Sequence, residues 1–489
     1  MATVRLTRPV DTIIEEVRVS EPYEMSCEEL VQAYRDRDLT PRDVIESILQ
    51  RMAEVEPALN AFCWRDDEAS RAAADAATAR WASGAPLGDL DGMPVSIKDL
   101  VDVAGMPTRY GSAASSEAPV ATDAPCVANL RQEGAIVLGK TTTPEYGHKG
   151  VTDSPLTGIT RNPWNTGMTP GGSSGGAAAA LASGMGPLAV GTDGGGSCRK
   201  PANYCGLVGM KPSLGRVPLT ATGGFWPLSS PGPMTRTVRD AAALLQVMAR
   251  PQINDPFVLP PIDLTIADEV SLKGLRIAQS VELAGANARP EVAAAVRQRF
   301  SVFADLGAEV QETAPAVEDP MPYYRTLLDS GSALYAAAWS DAELAMADTT
   351  FREGIERGRA LSAVDLRAAY LQRGAFAGQM AAFFDRFDLL VLPCNPTTTY
   401  ELGMREPPKE PTDTWPVTVC FTAPFNITGQ PAITVPFGKT GRGLPVGLQI
   451  VGRYGRDDLV LRAAAAFEAT TGCANQMVTK VDLPPSASG

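Results

Sequence analysis

The chain has 489 residues, a formal net charge of −13 and 44% hydrophobic residues, with 45 glycines and 40 prolines. This composition is typical of a globular protein rich in turns, and it excludes the fibrous and intrinsically disordered classes. The acidic balance argues against a nucleic acid or an anionic membrane as the main partner, because phosphate binding requires clustered Lys and Arg.

Eight cysteines are scattered along the chain without a C-x-x-C pair, and His148 is the only histidine. A zinc site would have almost no ligands, so we expect no metal, no cofactor and reduced thiols. The N-terminus lacks the apolar stretch of a signal peptide, and no apolar run approaches the length of a membrane span. We therefore expect a cytoplasmic protein.

The N-terminal segment, residues 22–82, is predicted to be helical and to pack on the main domain. Ser26 and Glu29 form a capping box that starts a first helix. The Thr-Pro pair at 40–41 starts a second, and the alanine-dense stretch 71–82 indicates a third.

From residue 93 onward, short apolar runs alternate with alanine-rich stretches. Such runs between turn signals predict buried strands, and the alanine-rich stretches predict helices. The alternation indicates an α/β sandwich with a large mixed, twisted central sheet flanked by helices. The predicted strands are 93–97, 135–138, 188–190, 275–278, 389–392, 432–435 and 447–451, and the predicted helices are 177–183, 240–248, 290–306 and 457–470.

No stretch has the composition of an interdomain linker. We therefore predict a single domain over residues 1–489. The last residues, 483–489, are predicted to form a disordered tail.

Two short motifs match known patterns, but their context contradicts both. Residues 134–141 match the phosphate-loop pattern G-x-x-x-x-G-K-T, yet the four intervening residues are themselves strand-like. Residues 171–175 match the nucleophile elbow G-x-S-x-G, but that fold places its histidine after the serine, and His148 lies before it. Neither a nucleotide site nor an α/β-hydrolase is expected.

Two glycine-serine clusters, 170–176 and 192–197, indicate a serine nucleophile. With histidine nearly absent, the base that activates the serine can be a lysine held neutral by burial. Lys98 lies at the end of a predicted buried strand and is the candidate. Two alternatives stay open at this point: a plain ion pair between Lys98 and Asp99, and His148 as the base.

The second cluster also carries what acyl transfer requires beyond a base. Consecutive glycines allow backbone N–H groups to converge beside the serine oxygen and form an oxyanion hole. Asp193 and Arg199 flank the loop and are predicted to lock it by an ion pair. The residues of the predicted oxyanion hole are Gly194, Gly195, Gly196 and Ser197.

Several motifs together resemble the amidase signature family. They are PVSIKD at 94–99, GKT at 139–141, PEYG at 144–147, RNPWN at 161–165, PGGSSGG at 170–176, GTDGGGS at 191–197, GLVGMKP at 206–212 and PVGLQIVG at 445–452. The resemblance covers nearly the whole chain, from about residue 22 to 472. It implies that family's α/β/α sandwich and the hydrolysis of a carboxylic acid amide, and it leaves esterase activity open.

Residue by residue, the resemblance implies that Ser197 is the nucleophile that forms an acyl-enzyme, Ser173 a relay with a cis peptide bond, and Lys98 the base. It also implies a substrate pocket built around residues 145–150. The pocket residues expected on this basis are Tyr146, Gly147, His148 and Gly172, with Phe225 and Trp226 closing the pocket from a loop.

The chain departs from the family pattern at two places beside the nucleophile. Cys198 stands where an isoleucine is common, and Lys200 stands where the family often has an apolar residue or glutamine. Neither departure touches the three predicted catalytic groups, but both alter the wall behind Ser197.

Two other functions stay open at this stage. The first is the amidase component of a tRNA-dependent amidotransferase, whose nucleophile loop usually has Thr before two glycines and Gln-Pro after the arginine. This chain has Gly194 and Lys200-Pro201 at those places. The second is a noncatalytic binding protein on the same fold, which the intact set of two serines and a lysine argues against. We expect a free-standing amidase acting on a small-molecule amide, with a homodimer left open.

Overall fold

The computed structural model describes residues 21–219, 223–252, 255, 257–414 and 417–481. The predicted disordered tail, residues 483–489, lies outside the described residues. No helix in the described ranges combines the length and apolar character needed to cross a bilayer.

Strands and helices alternate through much of the described part of the chain. The strands are β1 (Phe62–Arg65), β2 (Pro94–Lys98), β3 (Ile136–Thr141), β4 (Asp153–Ser154), β5 (Gly158–Ile159), β6 (Leu188–Asp193), β7 (Val208–Lys211), β8 (Ser230–Thr235), β9 (Arg276–Gln279), β10 (Glu282–Leu283), β11 (Ala286–Asn287), β12 (Glu309–Glu312), β13 (Leu389–Pro393), β14 (Ala432–Lys439) and β15 (Pro445–Gly452).

Most of the helices are short, and the longest has 24 residues. They are α1 (Cys27–Asp36), α2 (Pro41–Leu59), α3 (Asp67–Ala82), α4 (Pro125–Gln132), α5 (Gly175–Ala182), α6 (Arg199–Cys205), α7 (Val238–Met248), α8 (Pro290–Arg297), α9 (Phe300–Asp305), α10 (Met321–Tyr335), α11 (Asp341–Met346), α12 (Thr349–Arg359), α13 (Ala363–Arg386), α14 (Ala423–Thr428) and α15 (Asp457–Thr471). Two 3-10 turns lie at Pro22–Glu24 and Glu145–Gly147.

An eleven-stranded mixed sheet is the centre of the described fold, in the order β1-β3-β2-β6-β8-β7-β14-β15-β13-β9-β12. The strands β3, β2 and β6 are parallel to one another, whereas the pairs from β6 to β13 are antiparallel. Every residue of β2, β13 and β15 is buried, as expected where helices cover the sheet. The predicted mixed α/β architecture is confirmed.

Helix α5 is built almost entirely from glycine and alanine, and all eight of its residues are buried. Small residues let the helix lie close to its neighbours. A Cβ added to Gly176 would meet the Ala61 carbonyl oxygen and the Thr142 amide nitrogen, each at 2.5 Å. The close fit fixes the start of α5, directly after the first glycine-serine cluster.

The strand and helix predictions agree with the structure at most positions, with two corrections. The N-terminal segment 22–82 is not wholly helical, because it contains β1, which pairs with β3. The helix predicted over 290–306 is two helices, α8 and α9, with a break between Arg297 and Phe300.

The topology brings the predicted catalytic elements to one edge of the sheet. Strands β2 and β6 are parallel neighbours, with Ile97 opposite Val190. The carboxyl ends of parallel neighbours lie at the same edge, so Lys98 and Thr192 come close together. Helix α5 and strand β6 fill the sequence between Ser173 and Ser197 and return the chain to that edge.

Candidate active site

Lys98 is the last residue of β2, and its side chain is fully buried. Its Nζ lies 2.6 Å from Ser173 Oγ and 2.9 Å from Thr192 Oγ1. Burial lowers the pKa of Lys98 to about 7, although the nearby Cys198 and Asp193 act in the opposite direction. A large neutral fraction at neutral pH makes this amine able to accept a proton.

The alternative ion pair between Lys98 and Asp99 is wrong. Asp99 faces Lys140 instead, with Oδ1 3.3 Å from Nζ, and it accepts the N–H of Arg109 at 3.1 Å. Lys140 also donates to Thr108 Oγ1 at 2.9 Å. The lysine of the phosphate-loop match is therefore a buried strand residue held by core groups.

Ser173 is buried and lies two residues before α5. The Gly172–Ser173 peptide bond is cis, as the resemblance implied. The next residue links the two glycine-serine clusters, because Ser174 donates its N–H to the Ser197 carbonyl at 3.2 Å. Ser173 and Ser197 line the same cavity.

The loop that carries Ser197 is folded around the Asp193 carboxylate. Arg199 donates to both oxygens, from Nη2 to Oδ1 at 2.8 Å and from Nε to Oδ2 at 2.9 Å. Both side chains are fully buried. Burial opposes the charge on Asp193, but the Arg199 guanidinium outweighs it and holds the pKa of that carboxyl well below its usual range. The predicted ion pair is confirmed.

The structure corrects one member of the predicted oxyanion hole. The Gly196 N–H donates to Asp193 Oδ1 at 2.7 Å, so it points into the loop. Gly194, Gly195 and Ser197 line the cavity. The Asp193 carboxylate therefore accepts one of the four predicted amide N–H groups, because its Oδ1 lies within the turn.

Two side chains distant in sequence hold the carbonyls of this loop. Tyr324 donates its hydroxyl to the Gly194 carbonyl at 3.1 Å, and Thr422 donates to the Gly195 carbonyl at 2.6 Å. A Cβ on Gly195 would lie 2.0 Å from the Tyr324 hydroxyl oxygen, so this position has no room for a side chain. These bonds fix the peptide planes of the loop beside Ser197.

The cavity above the two serines has a volume of about 440 Å³, within the size range of small-molecule sites. Five of the six predicted pocket residues line it: Tyr146, Gly147, His148, Gly172 and Phe225. Trp226 does not line the cavity, so the prediction that it closes the pocket is wrong. Its ring packs against Phe257 with centroids 5.3 Å apart, whereas the Phe225 ring packs against Tyr335.

His148 belongs to the cavity wall and is not in contact with the serines through a hydrogen bond. Its Nδ1 lies 2.7 Å from the Glu145 carbonyl oxygen, and its Nε2 lies 2.6 Å from Thr350 Oγ1. Both ring nitrogens are thus engaged by wall groups. The alternative of His148 as the base is not supported, because Lys98 has the contact that this role requires.

Cys198 and Lys200, the two departures from the family pattern, are both buried beside Ser197 in the sequence. Cys198 has its Sγ near the Gly232 carbonyl, and burial raises the pKa of its thiol. Lys200 donates from Nζ to Thr418 Oγ1 at 2.6 Å, and burial lowers its pKa against the attraction of Glu406. Neither side chain lines the cavity.

Several residues at the site had no predicted role. Thr192 lies in the second glycine-serine cluster and contacts Lys98. Residues of α10 and α12 line the cavity, and no motif marks them. The periodic spacing of Met321, Tyr324 and Leu328 is a helical face, which could have indicated a wall but not what it faces.

The family model for amidases matches residues 43–461 of the chain. A curated acylamidase of Rhodococcus erythropolis is 36% identical, over 91% of this chain and 95% of that protein. A glutamyl-tRNA(Gln) amidotransferase component of a Roseiflexus species is 34% identical, over 94% of this chain and 99% of that protein. The solved structure of a bacterial aryl acylamidase of the amidase signature family superposes with a TM-score of 0.87, at 30% identity, covering 93% of this chain and 98% of that one.

Proposed function

Because the chain belongs to the amidase signature family and hydrolyses the C–N bond of carboxylic acid amides, we propose that it acts through Ser197, Ser173 and Lys98. The observation that carries the proposal is the 2.6 Å contact between Lys98 Nζ and Ser173 Oγ. Ser197 lines the same cavity as Ser173. This set supplies a nucleophile, a relay and a base.

The first half of the reaction forms the acyl-enzyme. Ser197 Oγ attacks the amide carbonyl carbon and passes its proton to Ser173, while the Ser173 proton moves to neutral Lys98. The negative charge on the carbonyl oxygen is stabilised by N–H groups of Gly194, Gly195 and Ser197. Lys98 then returns its proton through Ser173 to the leaving nitrogen, and the C–N bond breaks.

The second half uses the same groups with water as the nucleophile. Water gives a proton through Ser173 to Lys98 and attacks the acyl carbon. The tetrahedral intermediate expels the Ser197 oxygen, which takes a proton back by the same route. The acid leaves, and Ser197, Ser173 and Lys98 recover their starting protonation states.

We further propose that the protein is a free-standing amidase for small linear amides. The acylamidase and aryl acylamidase relatives support this, and so does Lys200-Pro201 in place of Gln-Pro after Arg199. The apolar cavity residues Leu100, Met321 and Leu328 suit a substrate with a hydrocarbon or aryl group. The second candidate, the glutamine-hydrolysing component of an amidotransferase, is favoured by the 34% identity to a protein of that kind.

A substrate panel separates the two candidates. Aliphatic amides, anilides, amino-acid amides and glutamine are assayed for released amine or ammonia with the wild type and Ser197→Ala. We expect turnover of anilides or aliphatic amides by the wild type and none by the variant, with its thermal unfolding unchanged. If glutamine is the one substrate of the panel that is hydrolysed, the hypothesis of a free-standing amidase is contradicted and that of an amidotransferase component is supported.

A further inference from the structure

Arg325 lies on the face of α10 that lines the cavity, and its side chain is exposed. The preceding residue, Tyr324, donates its hydroxyl to the Gly194 carbonyl in the nucleophile loop. Arg325 lines the same cavity as Ser173 and Ser197, so a substrate bound there lies beside its side chain.

Most charged side chains around the cavity are already paired. The Arg357 guanidinium binds Asp329, Lys149 binds Asp348 at 2.6 Å, and Arg405 lies 4.0 Å from Glu353. Glu406 accepts the Thr418 N–H at 3.1 Å and attracts the buried Lys200. These partners leave little uncompensated charge on the walls.

Arg325 is the exception among the charged lining residues of the described chain. It makes no hydrogen bond or ion pair with any described residue. The natural partner would be Asp329, four residues further along the same helix. Arg357 already takes both oxygens of Asp329, at 2.8 and 2.9 Å, so that carboxylate is committed elsewhere.

An unpaired guanidinium beside apolar wall residues is suited to a carboxylate. Its planar fork of N–H donors matches the two oxygens of that group. Met321 and Leu328 line the cavity on the same helix and would contact the hydrocarbon part of the ligand. The cavity thus combines the nucleophile at one place with a free cation on the wall.

We propose that Arg325 binds a carboxylate of the substrate, remote from the bond that is cleaved. The substrate class is then linear amides that carry a terminal carboxylate, on either the acyl part or the amine part. The inference rests on the proposed function, because it assumes that the amide is cleaved at Ser197. Arg325 acts as a specificity-determining residue and takes no part in proton transfer.

The test compares matched neutral and anionic substrates. One series consists of 4-nitroanilides of dicarboxylic acids with four to eight methylenes, against 4-nitroanilides of monocarboxylic acids of the same length. The other consists of 4-acylaminobenzoates against the corresponding anilides. We expect the wild type to prefer the carboxylate members of one series by about 10- to 100-fold in kcat/KM, the range of a charge-assisted hydrogen bond.

Arg325→Met is expected to abolish this preference through a higher KM, with kcat nearly unchanged and the neutral substrates unaffected. Arg325→Lys keeps the charge without the fork and should retain part of the preference. Arg367→Met, which removes an exposed arginine from α13 away from the cavity lining, is the matched control and should behave as the wild type.

Two results would overturn the inference. One is a wild type that hydrolyses neutral and anionic members equally well. The other is a preference for carboxylates that persists in Arg325→Met, which would assign recognition to another group. If the wild type hydrolyses neither neutral nor anionic members, the proposed function fails first and the inference falls with it.

Discussion

Replacing Lys98 with methionine removes the proposed base while keeping a chain of similar length in the buried slot. With its pKa lowered to about 7, about half of Lys98 is neutral at pH 7. At the ordinary value of 10.5, the neutral fraction at that pH would be about 3 in 10⁴. Burial thus increases the amount of usable base by about 10³-fold. We expect Lys98→Met to lower kcat/KM by about 10²- to 10⁴-fold, the usual contribution of general-base catalysis.

The assay is the pH profile of kcat/KM on an anilide that the wild type hydrolyses. Because the neutral amine is the active form, wild-type kcat/KM should fall about tenfold per pH unit below 7 and level off above it. This fall of kcat/KM below pH 7 should be absent in Lys98→Met and present in His148→Ala. A fall of kcat/KM below pH 7 that persists in Lys98→Met and disappears in His148→Ala would refute the assignment of Lys98 as the base.

Three further changes test the surroundings of Ser197. Asp193→Asn leaves the buried Arg199 guanidinium without its carboxylate and should reduce the free energy of unfolding by roughly 3–5 kcal/mol in urea titrations; a loss below about 1 kcal/mol would contradict a central role of this pair. Gly195→Ala places a Cβ 2.0 Å from the Tyr324 hydroxyl and should lower kcat by more than about tenfold. Adding Tyr324→Phe removes the clashing oxygen and should restore part of kcat. If kcat is not restored, the clash is not the cause of the loss. Lys200→Met removes a buried amine whose pKa is lowered by burial, so the variant should be at least as stable as the wild type at pH 6. Wild-type stability should rise with pH between the lowered pKa of Lys200 and its ordinary 10.5, and this rise should be smaller in the variant; a variant that unfolds more easily at pH 6 would contradict this interpretation.

The local parts of the site could be predicted from the sequence. Strand β2 is a short apolar run that ends at Lys98, and the glycines before Ser197 mark a loop whose amides can converge. Asp193 and Arg199 are six positions apart in the sequence, so both partners of the pair could be recognised from the loop around Ser197. These features depend on contacts within a few residues or between adjacent strands.

The remaining parts depend on contacts between distant segments. Tyr324 reaches Gly194 across 130 residues, and Thr422 reaches Gly195 across 227. No local pattern shows where helix α10 lies relative to the loop. The partner of Asp99 also depends on tertiary structure. Asp99 pairs with Lys140, which lies on the neighbouring strand β3, and not with Lys98, which precedes it in the sequence.

Two errors have the same physical origin. Phe225 and Trp226 are adjacent in sequence, but their rings pack against different partners, so only one lines the cavity. The Gly196 N–H is one of four consecutive amides, yet the Asp193 carboxylate accepts it. In both cases the direction of a group, which the sequence does not encode locally, decides its role.

The proposed mechanism requires that Ser197 forms the acyl-enzyme with Lys98 as its base. The direct measurement is peptide mapping by mass spectrometry after rapid acid quench of the enzyme during turnover of a 4-nitrophenyl ester. We predict an acyl group on Ser197 in the wild type, none in Ser197→Ala, and much slower acylation in Lys98→Met. An acyl group on Ser173, or unchanged acylation without Lys98, would contradict the mechanism.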